Sequence, residues 1–278
     1  MKKISIITTM TNPDDRNDPW KEALECYRDL ADEVIIVGED WPYEFEWSHI
    51  GKTFQKGYEK ATGDWVIRMD LDYFFHENDI LNIRKTIEKF NNFPIVSFPQ
   101  HQFFTEKKYS LRTLIGIAVN KSKFPDIRLN GGGDLCLPTL NGDLLNPFNY
   151  PISKYPIYQY DSFFRTREII AVDRARFARA WERHFGDYGD RGGPTEEAAI
   201  VSWENMIKNK IIDHIYKFNP DKHPKYIKQK IKRVEKDAFG YNAFGINYKL
   251  PGIKVVIKEI KKLLKIYIVR KKFEFTSI

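Results

Sequence analysis

Over residues 1–93, short apolar runs alternate with amphipathic stretches, and this alternation restricts the fold more than any other feature of the chain. Residues 3–9, carrying Ile4, Ile6 and Ile7, read as a buried strand, and 34–37 as a second. Residues 65–69, from Trp65 to an apolar end at Met69, read as a third. Between them, 19–31 and 54–61 have helical content, and 62–64 reads as a turn. Residues 79–90 place Ile80, Ile83, Ile87 and Phe90 on one helical face. Strands separated by single helices pair side by side in one direction, through right-handed crossovers. The expectation is an α/β fold: a mostly parallel central sheet flanked by helices. Ligands of such sheets bind at the carboxyl ends of the strands.

The rest of the chain is less regular. Residues 95–98 and 169–172 look like strands and 174–183 like a helix. The stretch 125–157 is rich in Gly, Pro and Asn around Gly131-Gly132-Gly133, which suggests an irregular loop or lid near an acceptor. Thr195 is placed to cap a helix over 195–208. From 251 onward, Ile253, Val256, Ile257, Ile260, Leu263, Leu264 and Tyr267 recur at helical spacing among lysines, which predicts a basic amphipathic helix. The expected organisation is a domain over 1–216, with halves at 1–93 and 94–216, followed by a basic helical extension over 217–278.

Charge divides at the same place. Residues 217–278 hold 17 Lys/Arg and five Asp/Glu, a net +12, while 1–216 hold 28 and 33, a net −5. An acidic body with a basic tail predicts an anionic surface as partner, here an anionic membrane reached through 251–278. Nucleic acid fits poorly, because the tail lacks interleaved aromatics on a sheet platform. Cys26 and Cys136 are too few for a disulfide framework or a cysteine zinc site, which favours a reducing compartment. The apolar run after Lys2 and Lys3 is cut short at Thr8 and Thr9, unlike a signal peptide, and no apolar run reaches a membrane span. The expected location is the cytoplasm, with peripheral attachment to the inner face of the membrane as an option.

Asp70-Leu71-Asp72 leaves the third strand at its carboxyl end. Residues i and i+2 point to one side, so both carboxylates can face one divalent cation with a diphosphate and water. The first two strands end at Thr8-Thr9 and Glu39-Asp40, positions suited to a base and ribose. The ordered run Gln55-x-Gly57, Ala61-x-Gly63-Asp64, the 65–69 strand and Asp70-x-Asp72 resembles the nucleotide-binding half of GT-A-fold, family-2-like glycosyltransferases. Gln55 stands where that family usually has Asn, and Tyr73 where a third acid is frequent.

The resemblance implies transfer of a sugar from a nucleoside-diphosphate-sugar to a glycan or lipid-linked acceptor hydroxyl, with Mg²⁺ or Mn²⁺ and usually with inversion. It implies nucleotide-sugar contacts for Thr8, Thr9, Asp40, Gln55, Asp70, Leu71 and Asp72, and metal binding by Asp72, with Asp70 at or near the ion. A histidine past the catalytic helix often completes the metal site in the family, which makes His214 and His223 candidates. The family's base opens a helix in an acidic pair; Glu196 and Glu197 are the nearest match here, with Asp187 and Asp190 as rivals. Arg165, Arg167, Arg174, Arg176 and Arg179 are candidates for a phosphate clamp. Two other classes compete: a non-catalytic sugar-nucleotide-binding or scaffolding protein of the same fold, and an aspartyl-phosphate hydrolase with the same triplet. The latter usually carries its motif on the first strand, followed by small or β-branched residues, where this chain has Tyr73-Phe74-Phe75.

Overall fold

The structure is a computed structural model and describes residues 1–129, 136–246 and 251–275. The opening alternation is present: β1 (Ile4–Thr9), α1 (Trp20–Leu30), β2 (Glu33–Val37), α2 (Trp47–Lys60), β3 (Trp65–Arg68), the short β4 (Tyr73–Phe74) and α3 (Ile80–Lys89). A long hairpin follows, β5 (Ile95–Thr105) and β6 (Lys108–Asn120). Three short strands, β7 (Ile127–Leu129), β8 (Pro138–Leu140) and β9 (Asp143–Leu144), form a separate small sheet. Then come β10 (Ile157–Gln159), α4 (Arg167–Phe185), α5 (Glu196–Lys210), β11 (Tyr216–Lys217), α6 (Lys225–Lys232), the single turn α7 (Phe239–Asn242) and α8 (Ile253–Phe275). Gly131–Gly133, the centre of the expected loop, lie outside the described residues.

The main sheet runs β2-β1-β3-β6-β5-β10-β4, with β11 beside β6. Pairs β1–β2, β1–β3 and β5–β10 are parallel, whereas β6 is antiparallel to its three neighbours and β4 to β10. Six of the eight strands therefore point one way, giving the mostly parallel, helix-flanked sheet expected from the sequence.

The two-residue period of β3 sorts its side chains between two cores. Trp65 and Ile67 join Ile4 and Ile6 against Tyr27 of α1 and Ile83 and Ile87 of α3. Val66 joins Ile7 against Ile50, Phe54 and Tyr58 of α2 on the other face. Arg68 falls on the α2 side, with its guanidinium 4.4 Å from the Phe54 ring centroid. The glycines of the motif serve packing. Gly57 brings α2 onto the sheet, where an added Cβ would lie 3.4 Å from both Ile7 and Val37. Gly63 is tighter, because a Cβ there would sit 2.6 Å from the Ser5 backbone nitrogen and 2.8 Å from the Trp65 carbonyl. Backbone cannot give way as a side chain does, so Gly63→Ala is expected to cost about 1–3 kcal/mol by urea denaturation.

Two sequence expectations need correction. Residues 169–172 are not a strand but the first turns of α4, capped by Thr166, whose hydroxyl accepts from the Ile169 N–H. The β-branched run misleads locally, and the alanines at 171, 175, 178 and 180 carry the helix onward. The 125–157 stretch is also less irregular than its composition suggests, since it holds β7, β8 and β9. The basic segment after 216 shares the body's core: Tyr226, Ile227 and Ile231 of α6 and Phe273 of α8 pack in the same cluster as Tyr27 and Phe98.

Candidate active site

The carboxyl ends of β1, β3 and β10 open into one cleft. Thr9 comes from β1, Asp70, Leu71 and Asp72 from the end of β3, and Gln159 and Asp161 from the end of β10. The loop after β1 adds Arg16 and Asp18, the segment before α2 adds Trp41 and Phe45, and α4 adds Asp173, Arg174, Arg176 and Phe177. Arg68, Arg112 and Arg165 complete six arginines against five aspartates. Such a balance suits a ligand with several negative charges and a counter-cation.

The two acids of the triplet stand differently. Asp70 is held by Arg68, which donates to its two carboxylate oxygens at 2.9 and 3.1 Å. The Tyr27 hydroxyl donates to the Asp70 and Tyr73 carbonyls and fixes the turn from below. Asp72 has no ion-pair partner among the described residues, and its Oδ2 accepts only from Gln159 Nε2 at 3.4 Å. Gln159 in turn accepts from Arg112 at 3.2 Å. Burial, then the facing charges of Asp161 and Asp70, push the Asp72 carboxyl up to about 8. Burial raises Asp161 too, but Arg174, Arg112, Arg165 and Lys210 outweigh it and hold that carboxyl below its ordinary value. Asp161 is therefore a charged carboxylate facing Asp72, with Arg174 at 3.9 Å and Gln102 donating to it at 3.2 Å.

One wall is an ion network. Buried Arg165 donates to Asp18 and, at 3.1 Å, to Asp173, while Arg16 lies 3.3 Å from Asp18 and 3.7 Å from Asp173. Two cations and two anions tie the loop after β1 to α4. Arg176 donates to the Tyr43 and Pro42 carbonyls at 2.7 and 3.2 Å and anchors the segment that carries Trp41.

Of the residues expected from the sequence, Thr9, Asp70, Leu71 and Asp72 line the cleft, as do Arg165, Arg174 and Arg176 of the arginine series. Thr8 is fully buried beneath it. Asp40 is exposed and does not line the cleft; its neighbour Trp41 does. Gln55 accepts from the Leu129 N–H at 2.8 Å and bonds Glu59 at 3.0 Å, so it fastens β7 to α2 and does not line the cleft. Glu196 and Glu197 are exposed on the first turn of α5, outside the cleft lining, in the position where acids complement a helix N-terminus. Asp187 accepts from the Gly189 N–H and Asp190 pairs with Arg191, also outside it. Arg167 and Arg179 are taken by Glu204 and Glu44.

The histidines are core residues and are not placed as metal ligands. His223 Nε2 donates to the Glu106 carbonyl at 2.9 Å and Nδ1 accepts from the Tyr160 hydroxyl at 2.7 Å, so both nitrogens are committed. His214 stacks on Phe104 at 4.3 Å and donates from Nδ1 to the Lys210 carbonyl at 3.2 Å. Burial pushes each imidazole down to about 4, from an ordinary value of 6.5. Folding therefore holds both neutral where the unfolded chain would charge them. The stability present above about pH 6.5 is lost as pH falls toward 4, by up to about 1.4 kcal/mol per pH unit for each histidine. Urea midpoints measured from pH 7 to 4.5 are expected to fall steeply, and a His223→Gln variant to fall with a shallower slope.

Residues missed from the sequence are Arg16, Asp18, Arg68, Arg112, Gln159, Asp161 and Asp173. Asp161 had one legible signal, since it ends an apolar run just as Asp70 does. As to a divalent cation, no three His, Cys, Asp or Glu side chains of the described residues are grouped to hold one. The donor set still fits Mg²⁺ or Mn²⁺ held by Asp72, because such ions take one or two carboxylates and draw the rest of their shell from phosphate oxygens and water.

No family model matches the sequence, and no curated protein matches it. Among solved structures the chain is similar to S. aureus TarS residues 1–349, at 14% identity over 77% of this chain and 81% of that one, with a TM-score of 0.34. It is similar to the same fragment in complex with UDP-GlcNAc, at 13% identity over 76% and 81% with a TM-score of 0.33. For the fragment in complex with UDP the figures are 14% identity over 99% and 92%, with a TM-score of 0.38.

Proposed function

We propose that the cleft transfers a sugar from a nucleoside-diphosphate-sugar to an acceptor hydroxyl of a glycan or lipid-linked saccharide. The observation that carries this reading is the meeting of Asp72 and Asp161, from the ends of two strands, inside a ring of arginines. Asp72 would hold Mg²⁺ or Mn²⁺, which when bound offsets the charge growing on the departing diphosphate. Arg112 and Arg174 add fixed positive charge beside it. Trp41, half-buried in the cleft lining with Thr9, is an aromatic surface suited to stacking on a base.

Asp161 is the proposed base. It is ionised, faces the cleft, and can take the acceptor proton as the acceptor oxygen bonds to the anomeric carbon and the bond from that carbon to the diphosphate breaks. It takes the role that the sequence offered to Glu196 and Glu197. Displacement by an acceptor on the face opposite the leaving group would invert the anomeric centre.

A panel of UDP-, GDP- and CDP-sugars, each with Mn²⁺, tests the reading by thermal shift and by release of nucleoside diphosphate. One donor is expected to raise the melting temperature and to be hydrolysed slowly. Stabilisation without hydrolysis in the presence of acceptor extracts would favour the non-catalytic alternative, and no shift with any donor would overturn the proposal.

A further inference from the structure

The helix α8 sits on the body by a narrow seam. Glu259, Ile266 and Phe273 are buried, with Lys262, Val269 and Arg270 beside them. Ile266 packs with Leu111, Leu114 and Ile152, and Phe273 lies 5.2 Å from the Phe93 ring. Lys262 donates to the Leu111 carbonyl and Arg270 to the Ser153 carbonyl. Spacings of three and four residues along this seam define the inward face.

The apolar row expected from the sequence is not that face. Ile253, Ile257, Ile260, Leu263, Leu264, Tyr267 and Ile268 are each between 46 and 77% exposed. At 3.6 residues per turn they fill one continuous sector about 140° wide. Lys254, Lys258, Lys261, Lys265 and Lys272 fall together in the next sector, between that stripe and the seam, where Lys258 pairs with Asp213 at 2.7 Å and Lys265 lies over the Phe148 ring. The helix carries eight basic and two acidic residues, a net +6, and both acids are turned inward or paired: Glu259 is buried with Lys262, and Glu274 pairs with Lys271 and Lys154. Half of the exposed large apolar side chains of the described residues lie on this one helix. A broad apolar stripe normally faces a core. Here it faces outward, beside a row of lysines.

We infer that α8 is an interfacial helix that docks the protein on an anionic lipid bilayer. Its apolar sector enters the boundary between headgroups and acyl chains, and its lysine row meets lipid phosphates. The charge row selects this occupant over a second copy of the chain, because lysine rows on two copies would repel. No described helix is long and apolar enough to cross a membrane, so the helix lies on the surface. The inference is independent of what the cleft binds.

Co-sedimentation with vesicles tests it, using the full chain and a set of variants changed only at exposed positions. The chain is expected to bind mixed phosphatidylglycerol and phosphatidylcholine vesicles and to bind pure phosphatidylcholine at least tenfold more weakly. A K254Q/K261Q/K265Q variant should lose about fivefold in partitioning per lysine on the anionic vesicles. An I257S/I260S/L264S variant should lose at least tenfold while melting at or above the parent temperature. Equal binding of the parent and both variants would overturn the inference. So would light scattering that finds a dimer abolished by the serine changes, with no vesicle binding by the parent. Release of nucleoside diphosphate in detergent-free solution is a separate readout of the cleft, and the α8 variants should leave it unchanged.

Discussion

An Asp72→Asn variant is expected to lose at least about a hundredfold in turnover of its nucleotide-sugar and yet to be more stable than the parent in metal-free alkaline buffer. Asp72 faces Asp161 and Asp70 without an ion-pair partner among the described residues, and burial and like charge raise its carboxyl to about 8. A raised carboxyl favours folding fully below the unfolded value near 3.9. That contribution is lost as pH climbs toward 8, where folding must accept the buried charge. Asparagine keeps the shape and removes the charge. At pH 5 in the presence of a chelator the two proteins should melt nearly together. By pH 8.5 the variant should have gained about 1.4 kcal/mol for each pH unit between 5 and 8. Denaturant melts at the two pH values, set beside a coupled assay for nucleoside diphosphate release, check both halves. A variant that loses activity and stability together at pH 8.5 would mean that Asp72 is structural.

The largest expected stability loss lies at Arg165. Arg165→Met should cost about 3–5 kcal/mol, because it removes the more buried of the two cations shared by Asp18 and Asp173 and leaves two buried carboxylates with Arg16 alone. Methionine fills much of the volume, so the loss would report charge more than cavity. A triple change, Arg165→Met with Asp18→Asn and Asp173→Asn, should recover a large part of it by urea denaturation. Recovery isolates electrostatics, whereas continued instability would point to packing. Arg165 also joins the loop after β1 to α4, so the single variant should weaken nucleotide binding even below its melting temperature.

The sequence was most readable where local pattern and global packing agree. Trp65, Val66 and Ile67 are apolar because both faces of β3 are covered, and Gly57 and Gly63 mark close approaches that a Cβ would block. Thr9, Asp70, Leu71 and Asp72 follow from strand ends alone. The remaining cleft residues are brought in by tertiary structure. Arg112 lies on β6, Asp161 follows β10, Arg16 is held by Asp173 of α4 and Asp18 by Arg165; no spacing in the sequence connects these elements. His214 and His223 look like metal ligands by type, and only tertiary structure shows them to be core: His223 by the partners of its two nitrogens, His214 by its burial against Phe104. In the C-terminal helix the apolar and basic positions were legible, but which sector met the body was not. That choice belongs to the surface formed by Leu111, Leu114 and Ile152.

The order of the main sheet bears on how the chain can be divided. The strand that ends in Asp70-Leu71-Asp72 is bordered by β1 on one side and by β6 on the other, with Trp65, Val66 and Ile67 paired to Asn120, Val119 and Ala118. The segment 1–93 contains β1, β2 and β3 but not β6. Truncated there, the chain would end with an open, apolar strand edge, a template for pairing with other molecules. The half with the recognisable motif is therefore a module in sequence only. It needs a strand made later in synthesis to close its edge, so aggregation during expression, more than loss of binding, would be the first sign of a misplaced boundary.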